Sequence, residues 1–142
     1  MIDNCKLIEF KKMGDVRGEL VAIEYPKNLD FEIKRIYYIF DVNKGIERGF
    51  HSHENLEQVL IALNGSIKIR TSNPFEEKII ELKDPNIGLY IGPMVWREMF
   101  DFSEGAVLLV IASHEYDEKD YIKDKIKYIE KYKQKYGEVK NG

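Results

Sequence analysis

The chain has 142 residues, 44% of them hydrophobic and 33% charged, with 22 basic against 25 acidic side chains and a net charge of −3. This suffices for one soluble domain that buries its own core without a disulfide or metal staple. The charge balance excludes the basic patch a nucleic-acid partner needs, and the longest apolar runs, such as 106–112, fall far short of the ~20 residues of a membrane span.

The first six residues include an early acid and no apolar stretch, so no signal peptide is expected. Cys5 has no partner for an intrachain bridge, fits a reducing cytoplasm and is expected to be inert. From there to about residue 115, short apolar segments alternate with turn residues. Residues 20–23 follow the turn 14–18, and 33–40, rich in Ile and Tyr, ends at the turn 41–45. Residues 58–63 run into Asn64-Gly65, after which 66–71 alternates apolar and polar. Asn-Gly between two such runs predicts a β-hairpin, because both residues tolerate positive φ. Further strands are predicted at 78–82, 88–91, 95–99 and 106–112. Many short strands in a small chain argue for a sandwich or barrel.

The last quarter changes character. No Gly or Pro occurs between Asp117 and Gly137, and Ile122, Ile126 and Ile129 fall at i, i+4 and i+7. Tyr121, Tyr128, Tyr132 and Tyr136 broaden that stripe, and Asp117 and Asp120 suit a positive helix end. A helix is predicted over about 117–136, packed on the sheet. The expected architecture is a single domain over 1–142: an antiparallel all-β barrel at about 7–115 and one C-terminal α-helix.

Chemistry concentrates at 45–58. Two of the three histidines, His51 and His53, stand at i and i+2, which on an extended chain points both imidazoles to one face. Such a pair binds a metal, shuttles protons or sits inertly. Its flanks, Arg48, Glu54 and Glu57, are not those of a core patch. His114, in a polar stretch, is expected to be inert.

His-x-His with Gly45 before it and Gly65 after it resembles the first cupin motif, and 88–98 resembles the second. Metal-binding cupins add a glutamate and a third histidine; Gln58 and Arg97 stand in those places here. Neutral Gln is a poor ligand, and Arg is a fixed cation without a lone pair. Glu57, one residue off register, points to the other face. Neither a metal nor any other cofactor is expected.

A wider likeness covers about Phe10 to Ile122. The segments 33–41, 48–51, 56–60, 64–66, 88–93, 95–96, 98–99, 101–103 and 116–122 are similar to the dTDP-sugar 3,4-ketoisomerases, metal-free members of the cupin superfamily. The resemblance implies a cupin jelly-roll barrel, a homodimer and conversion of dTDP-4-keto-6-deoxyglucose to a dTDP-3-keto-6-deoxyhexose through an enediol(ate). It implies His51 as principal base, with His53 and Tyr37 relaying protons or stabilising the enediolate oxygens. Arg48 is the first choice for the diphosphate, with Arg35 on the same strand face as Tyr37. Gln58 is expected to hydrogen-bond the substrate and Trp96 to stack on a ring. In the branch giving a galacto product, a histidine replaces Arg97 and is the implied donor of the C4 proton, a role arginine cannot fill. Arg17 resembles that galacto branch, yet Arg97 sets the expectation on the gluco product. The alternatives are a keto-sugar epimerase of the same fold, a non-catalytic sugar-nucleotide binding module and a metal-dependent oxygenase.

Overall fold

The computed structural model describes residues 1–138. The strands are β1 (Cys5–Glu9), β2 (Met13–Asp15), β3 (Gly18–Leu20), β4 (Arg35–Ile39), β5 (Arg48–His53), β6 (Gln58–Asn64), β7 (Ile67–Ser72), β8 (Glu77–Leu82), β9 (Ile87–Ile91), β10 (Trp96–Phe100), β11 (Val107–Ala112) and β12 (Tyr121–Ile122), followed by α1 (Lys125–Tyr136). One antiparallel sheet has the order β1-β9-β6-β11-β4, the second β12-β5-β10-β7-β8, and β2-β3 is a separate hairpin. The expected antiparallel β-domain with a C-terminal helix is what the chain forms.

The two sheets enclose the main core. On β6, Leu60 and Ala62 point inward to meet Leu108 and Val110 of β11, Ile67 and Ile69 of β7 and Leu89 and Ile91 of β9. Each such buried Leu or Ile contributes about 1.5–3 kcal/mol through removal from water. The alternate residues Val59, Ile61 and Ile111 point the other way, under Leu29 and Phe31. β6 is therefore covered on both faces, which is why it reads as a continuous apolar run rather than an alternating one. The predicted strand 20–23 is not formed. The chain leaves β3 at Leu20, and 21–33 crosses that outer face, anchored by Val21, Ile23 and Ile33.

Two further expectations need correction. Asn64-Gly65 does not close a hairpin: β6 already pairs with β9 and β11, and β7 lies in the opposite sheet. The turn is a corner between sheets, with Gly65 at φ +68° against Ser103 and Ala106. The helix also begins later than Asp117. Asp117 caps a short 3₁₀ turn over Glu118–Asp120, and Tyr121 and Ile122 pair with His53 and Ser52. Asp124 is the true N-cap, its carboxylate accepting from the backbone N–H of Ile126 and Lys127. Tyr128 and Tyr132 then face the second sheet with Ile129 behind them, while Ile126 is exposed.

Candidate active site

β5 and β10 run antiparallel through one mouth of the barrel, and their pairing carries an irregularity. Arg97 lies opposite His51 and Glu98 opposite Gly49, so Phe50 is an extra residue on β5. Gly49 and Phe50 both take positive φ, +92° and +59°. This β-bulge resets the inside–outside alternation. Arg48 and His51, three residues apart, would face opposite sides of a regular strand. With the extra residue both line the same cleft, beside Met99, the residue opposite Arg48.

That cleft has a volume of about 550 Å³ and is lined by Arg35, Tyr37, Glu47, Arg48, His51 and Tyr121, among others. His53 is deeper and fully buried, bordering a second cavity of about 140 Å³ with Arg35, His114 and Asp120. The imidazoles of His51 and His53 are 4.9 Å apart, centre to centre, and nearly perpendicular. Tyr121 packs on both, at 5.0 and 4.3 Å. His53 Nδ1 lies 3.2 Å from Asp120 Oδ2.

Behind the histidines runs a buried polar chain. Arg97 Nη1 donates to Gln58 Oε1 at 2.6 Å and Nη2 to the Val95 carbonyl at 3.0 Å. Gln58 Nε2 donates to the Tyr37 hydroxyl at 3.0 Å. Guanidinium can only donate, so Gln58 must turn its oxygen to Arg97 and its amide N–H₂ to Tyr37. The Tyr37 oxygen is thereby an acceptor, and its own O–H is free to donate into the cleft. Arg35 rests on the ring of Tyr37, 5.0 Å from its centre.

Arg97 is 1% exposed and makes no carboxylate contact among the described residues. An arginine in that position keeps its charge. Burial, then the Arg97 cation, lowers the His51 pKa to about 4, against a smaller opposing effect of its hydrogen bond with the Gly49 backbone. The same two causes lower His53 further, to about 2. Both rings are neutral near pH 7. Burial raises the Tyr37 pKa, so its phenol remains protonated. No group of three or more His, Cys, Asp or Glu side chains suited to a metal ion occurs among the described residues.

Of the residues singled out from sequence, Tyr37, His51, His53, Arg35, Arg48, Gln58 and Arg97 gather here. Trp96 does not. It neighbours Arg97 on β10 and points to the opposite face, where it packs with Tyr128 under the helix and donates to Glu98 at 2.9 Å. Its ring does not face the cleft, contrary to the expected stacking on a substrate ring. Arg17 stands outside the cleft of its own chain, on the exposed β2–β3 hairpin, paired with Asp15. Asp120 and Tyr121 belong to the site although the sequence places them on a helix. Two-residue β12 leaves too short a pattern to register. Cys5 is half-buried against the core, burial raising its thiol pKa to about 11, as suits an inert residue.

The family model "FdtA: WxcM-like, C-terminal" matches residues 3–133. The chain is 53% identical over 118 residues to a TDP-4-oxo-6-deoxy-alpha-D-glucose-3,4-oxoisomerase of Aneurinibacillus thermoaerophilus, covering 83% of this chain and 85% of that protein. Among solved structures it resembles QdtA, a sugar 3,4-ketoisomerase of Thermoanaerobacterium thermosaccharolyticum solved with TDP, at TM-score 0.93 and 58% identity over 96% of this chain and 99% of that one. It also resembles WlaRB, a TDP-quinovose 3,4-ketoisomerase of Campylobacter jejuni, at TM-score 0.88 and 47% identity over 91% and 99% of the two chains. A match of this extent and likeness means that the chain belongs to the FdtA (WxcM-like, C-terminal) family and is an isomerase of the TDP-sugar 3,4-ketoisomerase class.

Proposed function

We propose that the enzyme converts dTDP-4-keto-6-deoxyglucose to dTDP-3-keto-6-deoxyglucose by proton transfer at C3 and C4, with His51 as base. The observation that carries this reading is His51 itself: neutral, turned into the cleft, and backed by the buried Arg97 cation. The C4 carbonyl acidifies the C3–H bond, and His51 takes that proton. The bonding pair becomes the C3–C4 double bond, and the carbonyl pair moves to O4 as an enediolate. A fixed positive charge nearby stabilises that anion without reorganising during the reaction. The O3 proton passes to O4 through His53 or Tyr37. The O3 lone pair then forms the C3 carbonyl as C4 collects a proton.

The gluco configuration is supported by residue type at position 97, where the galacto branch of the resembling family has a histidine and this chain has Arg97. Hydrogens at C3 and C4 of a gluco sugar lie on opposite ring faces, so the proton His51 removes is not the one C4 receives. Arg97 surrenders no proton near neutrality, so in this proposal the C4 proton comes from a solvent-exchanging donor that is neither His51 nor Arg97. Arg48 at the rim and Arg35 deeper in the cleft suit the two phosphates, guanidinium being matched to such oxygens.

The active form in this proposal is a homodimer. Support comes from the outer face of edge strand β4, where Ile36 and Tyr38 are 57% and 62% exposed, continuing to Phe40 at 56%. The β2–β3 hairpin is likewise uncovered, with Val16 at its tip, and in a dimer it would carry Arg17 toward the partner's substrate.

The test is turnover of dTDP-4-keto-6-deoxyglucose in heavy water by the parent and by His51→Asn, followed by proton NMR. Deuterium at C4 of the product, none at C5, and no turnover by the variant are expected. Deuterium at C5 would establish the epimerase instead. A galacto coupling pattern at C4, after trapping with an aminotransferase, would overturn the stereochemical assignment. A monomer in sedimentation would remove the dimer.

A further inference from the structure

Asp120 is the last residue of the 3₁₀ turn, immediately before β12 and outside both cupin-like motifs. Its carboxylate accepts three hydrogen bonds from one short stretch of chain and faces the His53 ring of that same stretch. Oδ1 takes the backbone N–H of Asn55 at 2.9 Å and the Asn55 amide at 3.2 Å. Oδ2 takes the backbone N–H of Leu56 at 3.2 Å and stands 3.2 Å from His53 Nδ1. Backbone pairing clamps the same place, since Tyr121 pairs with His53 and the Asp120 carbonyl accepts from the N–H of Glu54. A carboxylate anchored by two main-chain donors cannot swing away from the ring, and an ionised carboxylate only accepts. The ring nitrogen facing it must carry a hydrogen.

We propose that Asp120 is the positioning residue of the site, holding His53 as its Nδ1–H tautomer so that Nε2 is a bare acceptor inside the barrel. A neutral imidazole has one N–H, and Asp120 consumes it. Nε2 is buried and has no hydrogen-bond partner among the described residues. Buried polar atoms are nearly always paired, so an unpaired acceptor beside His51 and Arg97 is a place made for an O–H donor. On the isomerase reading, that donor is the sugar hydroxyl at C3, whose proton Nε2 takes and returns to O4. The same logic governs other imidazoles that work with a carboxylate behind them, where the acid selects the tautomer and never itself takes the proton.

Nitrogen-15 NMR on histidine-labelled protein without substrate tests the tautomer, with the His53 signals assigned by their loss in His53→Gln. The parent is expected to show a protonated Nδ1 and a pyridine-like Nε2 at pH 7. In Asp120→Asn the side-chain amide can donate to Nδ1, so the pattern should invert, with His51 signals unmoved. Its kcat should fall on the order of 100-fold, the usual worth of a placed acid–base group, with KM within about threefold. Asp120→Glu should recover part of that loss while keeping the parent tautomer. An Nε2–H tautomer in the parent overturns the proposal, as does an unchanged pattern in a folded Asp120→Asn. The parent spectrum decides the matter even where that variant fails to fold. Because the NMR arm uses no substrate, it stands apart from the substrate assignment, which fails separately if the parent turns nothing over.

Discussion

Gln58 Oε1 and Arg97 Nη1 lie 2.6 Å apart in the closed middle of the barrel, and this contact orients the rest of the site. The arginine fixes the amide, the amide fixes Tyr37, and the unshielded guanidinium adds to the burial that depresses both histidines. Burial and, after it, this cation keep both imidazoles neutral, and in the proposed mechanism the same cation faces the enediolate.

The pH dependence follows directly. On the proposed mechanism His51 is the base and must be neutral, so its lowered pKa should extend activity toward acid. The kcat/KM profile, which reports groups of the free enzyme, should stay flat from pH 8 to about 5 and fall below it. A midpoint near 6.5 would contradict the lowering by burial and Arg97 together. Stability has its own window. The unfolded chain binds protons at His51 and His53 near pH 6.5 that the folded chain refuses until about pH 4 at His51 and lower still at His53. Resistance to urea should therefore drop as the pH falls from 6.5 toward 4.

Gln58→Glu tests the polar chain. A carboxylate on Arg97 neutralises the charge that lowers the histidines, so the acid limb of kcat/KM should move upward. Tyr37 would also turn its O–H to the new carboxylate and away from substrate. The kcat should fall at least about tenfold, within the range expected for a lost donor. An unshifted limb would show that burial alone sets the histidine pKa.

Gly49→Ala tests the bulge. Gly49 has φ +92°, and a Cβ there would sit 2.9 Å from the Arg97 carbonyl oxygen. Straightening the strand would also turn Arg48 away from the cleft. Urea unfolding should show a loss of about 1–3 kcal/mol from backbone strain, and KM should rise with it. Parent-like values for both would show that the strand accommodates a side chain there.

Tyr128→Phe separates stability from chemistry. The buried hydroxyl is 2.9 Å from the Met94 carbonyl and 3.2 Å from that of Ser72, tying α1 to the second sheet. Its loss should cost about 1–2 kcal/mol in urea unfolding, the usual cost of a stranded buried acceptor, with kcat unchanged.

Some of this molecule is written in the sequence because strand alternation needs only parity. His51 and His53 share a face by that rule, and Gln58 and Arg97 are readable as the residues standing where metal-binding cupins have a glutamate and a histidine. The same parity separates Trp96 from Arg97, which is why the tryptophan is under the helix. Other features depend on contacts between distant segments. The extra residue at Phe50 brings Arg48 to His51, and only the pairing with β10 reveals it. Asn64-Gly65 carries a turn signal, but whether such a turn closes a hairpin or crosses between sheets depends on which strands already flank β6. Asp117, Asp120 and Asp124 look alike as helix-starting acids. One caps a 3₁₀ turn, one caps the helix and one holds His53, because a carboxylate's role is set by the donors the fold delivers to it. The sequence by itself determined which groups could do the chemistry; only the tertiary structure decided which hydrogen each of them holds.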